Sequence, residues 1–248
     1  MNRPIDPVIG TNNATMRAAG QQFFYELTIL AGVFFVATAV LAYAIYPLIG
    51  WPSAAPMPMR SIALALTIVV LVTAYNGGLA SLGLARPRSI WLTALLVIGF
   101  IALKLFVQQP AMGWIREIWD VPPSDTSFFD HIYGNLGAYL GWLVIAWAAG
   151  GFAEEIIFRG YLMNRIAGLA GNSALAWVIA IVAQAVIFGL GHYYQGVGGM
   201  IGVGFGALLS GTVYVLVKRN LWVLIVTHGV WDTLGITLIY FNGAPSTG

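Results

Sequence analysis

Seven apolar runs, at 24–49, 61–83, 89–108, 136–164, 174–194, 198–217 and 220–241, set the terms on which this chain can fold. Each approaches or exceeds the ~20 residues that an α-helix needs to cross a bilayer. Only 8% of the 248 residues are charged and 59% are hydrophobic, whereas a soluble domain carries about 25% charged residues. The expectation is an all-α integral membrane protein, a bundle of about seven transmembrane helices with room for an eighth. The run at 136–164 is the longest, about 43 Å as a helix, so it has to tilt or bend. Gly150-Gly151 is the natural place for the bend.

The runs divide the chain into a polar N-terminal segment (1–23), N-terminal transmembrane helices (24–135), a second helical group (136–241) and a short tail (242–248). Residues 1–22 are rich in Asn, Gly and Pro and are expected to lie loose at the surface. A polar stretch before the first run is not the layout of a cleaved signal peptide. No repeat of fixed period is present. The chain has no cysteine, which excludes disulfides, thiolate catalysis and Cys-ligated zinc. A net charge of +2 without a basic cluster speaks against nucleic acid as a partner.

Lysine and arginine give an orientation. With the N-terminus in the cytoplasm, cytoplasmic segments hold Arg3, Arg17, Arg86, Arg88, Arg159, Arg165, Lys218 and Arg219, and the opposite side holds Arg60, Lys104 and Arg116. The expected location is therefore a multi-pass integral membrane protein, in the cell inner membrane if bacterial, with the N-terminus inside. The long polar connection, 109–135, spaces Trp114, Ile115, Ile118 and Trp119 as a short amphipathic helix in the membrane interface. Pro122-Pro123 would end it, and Ser124 or Asp125 could cap the next helix. Such a helix serves as an anchor or as a lid.

Ionisable groups at membrane depth are costly and mark functional sites. Three apolar segments carry them. Glu154, Glu155 and Arg159 lie in Gly-Gly-Phe-Ala-Glu-Glu-Ile-Ile-Phe-Arg; His192 follows Phe188 by four residues; His228 precedes Asp232 by four. Glu155 and Arg159 share a helical face and can pair, whereas Glu154 points about 100° away. Lipid offers polar groups no partner, so a bundle of the last four helices would gather Glu154, His192 and His228 around one pocket. His192 sits near the far end of its run, so its helix has to lie lower, or break at Gly189 or Gly191. The glycines at 189, 191, 199, 202, 204 and 206 permit close packing or a break there.

A carboxylate beside an imidazole can take a proton from water. A second histidine, its tautomer set by Asp232, could donate to an oxyanion. Glu154, His192 and His228 could equally hold a divalent metal, zinc above all, that activates the water. No His-Glu-x-x-His run is present.

Glu-Glu-x-x-x-Arg at 154–159, Phe-x-x-x-His at 188–192 and His-x-x-x-Asp at 228–232 together resemble the CPBP (Abi) intramembrane protease family, which includes type II CAAX prenyl endopeptidases and bacteriocin-processing proteins. The resemblance spans about 136–241, and Leu82-Gly83-Leu84 with Arg86-Pro87 is similar to the family's approach to a preceding helix. It implies an intramembrane endopeptidase acting on a membrane-associated peptide, among membrane lipids. Glu154 and His192 would activate the water, His228 with Asp232 would support the oxyanion or a metal, and Glu155, Arg159 and Phe188 would brace the site. Many members have Asn where this chain has Asp232; an ionised Asp cannot donate a hydrogen bond, so Asp232 suits orienting His228 or binding a metal. Two other functions compete: a proton-coupled transporter, because such residues also mark proton paths, and a non-catalytic relative that binds peptides.

Overall fold

The computed structural model describes residues 13–49, 58–75, 78–87 and 89–243. Among these residues the secondary structure is entirely helical, and seven helices are long and apolar enough to cross a membrane. We label them α1 (Ala18–Ile45), α2 (Pro58–Tyr75), α3 (Ile90–Trp119), α4 (Leu136–Leu169), α5 (Ala174–Gly191), α6 (Tyr193–Leu216) and α7 (Leu221–Asn242). Large apolar side chains such as Trp91, Phe106, Val144 and Leu216 face outward, the arrangement lipid requires.

Two boundaries differ from those read in the sequence. Helical backbone begins at Asn13, so 13–22 belong to the first helix and are not loose; residues 1–12 lie outside the described residues. The polar stretch 109–119 is likewise no separate interfacial helix but continues α3 through a π turn at Lys104–Gln108. What the polar pattern marked is a transmembrane helix with one inward polar stripe, since Gln108 and Met112 are buried while Trp114 and Trp119 are exposed. The helix ends at Asp120, whose left-handed backbone (φ 49°) turns the chain before Pro122-Pro123 is reached. Asp125 caps no membrane helix; its Oδ1 accepts from the Ser127 amide, ahead of a 3₁₀ turn at Ser127–Ile132.

Helix α4 is the centre of the bundle, packing on α2, α5 and α7. Its first half crosses α7 at close range because glycines meet there: a Cβ on Gly151 would lie 3.2 Å from the Ile225 carbonyl, and one on Gly229 would strike the Trp147 ring. Helices α5 and α6 are equally close, since a Cβ on Gly189 would lie 2.7 Å from the Met200 carbonyl. At the end of the bundle that holds the α6–α7 turn, Gly83 (φ 82°) lies against that turn and its carbonyl accepts from the Leu221 amide. A side chain at Gly83 would fall on the Arg219 carbonyl. Helix α1 is tied on by Glu26, which is buried and takes hydrogen bonds from Tyr161 and Arg165.

Candidate active site

Helix α4 departs from α-geometry over Ala146–Glu154 and again over Ile156–Met163, where the chain is π-helical. π-helical geometry is rare and recurs at functional sites. The wider turn brings adjacent residues nearer to one face than the 100° of an α-helix allows, and both glutamates consequently approach the same imidazole. Glu155 Oε1 is 2.8 Å from His228 Nδ1 and 3.1 Å from Arg159. Glu154 Oε2 is 3.9 Å from His228 Nε2.

The expected Glu155–Arg159 pair is present and is almost wholly buried. Its role is wider than the sequence indicated. A carboxylate can only accept, so Nδ1 of His228 carries the proton it shares with Glu155 and the ring is oriented through that bond. Asp232 stands on the other side of the ring, 3.5 Å from Nε2. Glu155 therefore fixes the His228 tautomer, the role the sequence had given to Asp232. Residue spacing along α7 makes Asp232 the local neighbour of His228, but the partner at Nδ1 comes from α4, which spacing alone cannot reveal.

His192 lies just past the end of α5, in the turn before α6, as the need for a break near Gly191 implied. Its Nδ1 donates to the Phe188 carbonyl at 2.8 Å, which leaves Nε2 as the acceptor in the neutral ring. Burial pushes this imidazole below its ordinary value of 6.5, so it is neutral at pH 7. The Phe188 ring stands between the two histidines, 4.8 Å from His192 and 6.4 Å from His228 by centroids, and the Arg159 guanidinium lies 4.8 Å over it.

These groups share a cavity of about 550 Å³ whose lining includes Glu154, Glu155, Arg159, Phe188, His192, His228 and Asp232. That size is within the range of ligand-binding cavities. The Glu154 carboxylate is 24% exposed and, among the described residues, makes no side-chain hydrogen bond. The cavity runs from Leu224 in α7 towards the bundle end that carries Arg60, Arg116, Thr126 and Ile239. Arg86, Arg165, Lys218 and Arg219 do not line it.

Three lining residues went unread as site residues. Lys104, placed outside the membrane by the charge count, lies inside α3 and is buried, hydrogen-bonded to Gln108 and 4.6 Å over the Trp231 ring. Arg60 and Arg116 also turn into the cavity. A signal existed in the four-residue spacing of Phe100, Lys104, Gln108, Met112 and Arg116, all of which line the cavity. In a regular helix that spacing drifts ~40° per step; the π turn at Lys104–Gln108 takes up an extra residue and holds the stripe on one face.

Among the described residues, no group of three or more His, Asp or Glu side chains gathers as a metal would need. A metal held by Glu154, His192 and His228 thus does not fit the site as it stands, and the steps derived below use side chains alone.

Residues 136–234 match the family model of the Rce1-like type II CAAX prenyl endopeptidases. Over these residues, fewer than half of the chain, the sequence is similar to that family. The matched stretch covers α4, α5, α6 and the first part of α7, and so contains every site residue read from the three motifs. It leaves out α3, the helix of Lys104 and Arg116. No curated protein and no solved structure matches the chain.

Proposed function

We propose that this protein is an intramembrane endopeptidase that hydrolyses a peptide bond of a membrane-associated, CAAX-type substrate, using a water activated by Glu154 and His192. The observation that carries the reading is the arrangement around His228: Glu155 holds Nδ1 at 2.8 Å, and Nε2 faces the cavity beside Glu154. Glu154 and Nε2 of His192 hold the water between α4 and α5, and Glu154 removes its proton as the oxygen attacks the scissile carbonyl. The oxyanion forms next to His228, which acts as the imidazolium: Nδ1–H stays on Glu155, Nε2–H donates to the oxyanion, and Glu155 and Asp232 stabilise the charge of the ring. Glu154 then returns the proton to the departing nitrogen, the C–N bond breaks, and one carboxylate and one amine leave. Arg159 holds Glu155 in place through their ion pair, and Phe188 stands between the two imidazoles.

The proposed orientation rests on the charge asymmetry between the two ends of the bundle. With the end that carries Arg86, Arg165, Lys218 and Arg219 in the cytoplasm, the N-terminus is inside and the cavity opens to the opposite face. Because the chain contains no cysteine, Ser127→Cys is a single reporter in the exposed turn at that end. It should react with a membrane-impermeant thiol reagent in intact cells; reaction only after permeabilisation reverses the orientation.

The activity is tested with the purified protein in proteoliposomes, given a prenylated peptide with a free C-terminal tripeptide, with and without a chelator. Release of the tripeptide in both conditions supports the proposed steps. Loss on chelation with recovery on added zinc selects a metal mechanism, and proton flux without cleavage selects a transporter.

A further inference from the structure

At the end of the bundle opposite the mouth of the active-site cavity, a second cavity of about 430 Å³ lies between two turns. Asn172 lines it from the α4–α5 turn and Trp177 from the first turn of α5. Val215, Lys218 and Arg219 line it from the end of α6 and the turn into α7. Both of its charged residues are cations. Among the described residues, neither Lys218 nor Arg219 has a carboxylate at ion-pair distance. Arg219 lies over the Trp177 ring, 5.7 Å from its centroid, a contact that holds the guanidinium against the cavity wall.

The backbone of the turn is a second observation. Lys218 and Arg219 are consecutive left-handed residues, with φ 56° and 61°, a conformation that glycine adopts freely and other residues do not. Their amides donate to the Val215 and Tyr214 carbonyls at 3.1 and 2.8 Å, so the turn is fixed. Glycine would make it with less strain, yet the chain places two cations there and gives them no acidic partner.

The surface beside the cavity says what the partner is. Leu175 in the first turn of α5 and Leu216 in the last turn of α6 are exposed, as lipid-facing residues are. The cavity therefore opens where acyl chains give way to headgroups, the level at which tryptophan settles. Basic pockets between transmembrane helices at this level take anionic headgroups.

We propose that this cavity binds the phosphate of an anionic phospholipid, with Lys218 and Arg219 supplying the charge and the Asn172 side-chain amide a neutral donor. The headgroup joins the α4–α5 turn to the α6–α7 turn. Those turns belong to the helices that carry Glu154 and Glu155 on one side and His228 and Asp232 on the other, so the lipid stabilises their packing by mass action. The site stands independently of the protease reading.

The test measures the unfolding midpoint of the purified protein in a neutral detergent with added phosphatidylglycerol, phosphatidylcholine or inorganic phosphate. The dissociation constant of a fluorescent phosphatidylglycerol is read in the same micelles. Phosphatidylglycerol should raise the midpoint, and the other two should not. Lys218→Gln with Arg219→Gln should weaken binding of the fluorescent lipid by about 10- to 100-fold, the range for losing two interfacial cations. Lys218→Gly with Arg219→Gly guards against misfolding, because glycine suits both left-handed positions. Its lipid-free midpoint should hold or rise while the response to phosphatidylglycerol is lost. An equal response in all three proteins overturns the site. So does a phosphatidylcholine effect as large as that of phosphatidylglycerol, or an equal effect of inorganic phosphate, which would make the ligand a soluble anion. A glycine variant destabilised without lipid overturns it too, since the two cations would then serve the fold alone.

Discussion

Gly150→Ala separates the geometry of the site from the stability of the helix that carries it. A Cβ at Gly150 would lie 2.6 Å from Asp232 Oδ2 and 3.6 Å from His228 Nε2. The carboxylate oxygen has to retreat about 0.8 Å to reach the 3.4 Å of ordinary contact. It is the far end of a flexible side chain that is 31% exposed to the cavity, so it can move without opening the α4–α7 crossing. Overpacking costs ~1–3 kcal/mol when nothing can yield, and alanine gains up to ~1 kcal/mol over glycine in a helix; the net change in stability should stay within about 1 kcal/mol. Catalysis should respond differently, because a misplacement near 1 Å costs about 100-fold. We expect kcat/KM to fall by ~10- to 100-fold with an almost unchanged unfolding midpoint in detergent. Gly151→Ala is the contrast: its Cβ meets the backbone of Ile225 and Gly229, which cannot step aside, so it should lose ~1–3 kcal/mol. Normal kcat/KM in Gly150→Ala would refute the role given to the His228–Asp232 alignment. Equal destabilisation by both substitutions would refute the packing argument.

The buried ion pair makes a second prediction. Arg159→Leu leaves the Glu155 carboxylate, 2% exposed, without its cation and should cost ~3–5 kcal/mol, read as a lowered denaturation midpoint; an unmoved midpoint means that the pair is not a brace. His192 makes a third, through pH. Its folded pKa is depressed by burial, so the stability that depends on the neutral ring is fully present above about pH 6.5 and is lost as the pH falls below it. His192→Gln should flatten the decline in unfolding midpoint between pH 7 and 5, and parallel declines in both proteins would show that His192 contributes nothing to it.

Much of this was legible in the chain because lipid makes it so. Unbroken apolar length marks a crossing, and charge inside that length marks a site; the seven spans and the six ionisable motif residues of the cavity follow from those two rules, whereas Phe188 came from the resemblance alone. The Glu155–Arg159 pair was readable because both members lie on one helix. The bond from Glu155 to His228 was not, since it joins residues on separate helices. Nor was the facing of Glu154, because periodicity assumes 100° per residue and π turns break that assumption. Lys104 and Arg116 were misplaced for a related reason. Polar residues near the end of an apolar run read as the start of a loop, whereas here they form the inward stripe of a 30-residue helix.

The account stands most directly on Glu154→Gln. The substitution keeps the shape of the side chain and removes its basicity, and no described hydrogen bond or ion pair of the fold other than the 3.9 Å approach to His228 depends on that carboxylate. General-base catalysis contributes about 100- to 10,000-fold. The predicted result, measured as tripeptide release from the prenylated peptide in proteoliposomes, is a fall of that size in kcat with substrate affinity and unfolding midpoint preserved. Cleavage at the unsubstituted rate would contradict the account.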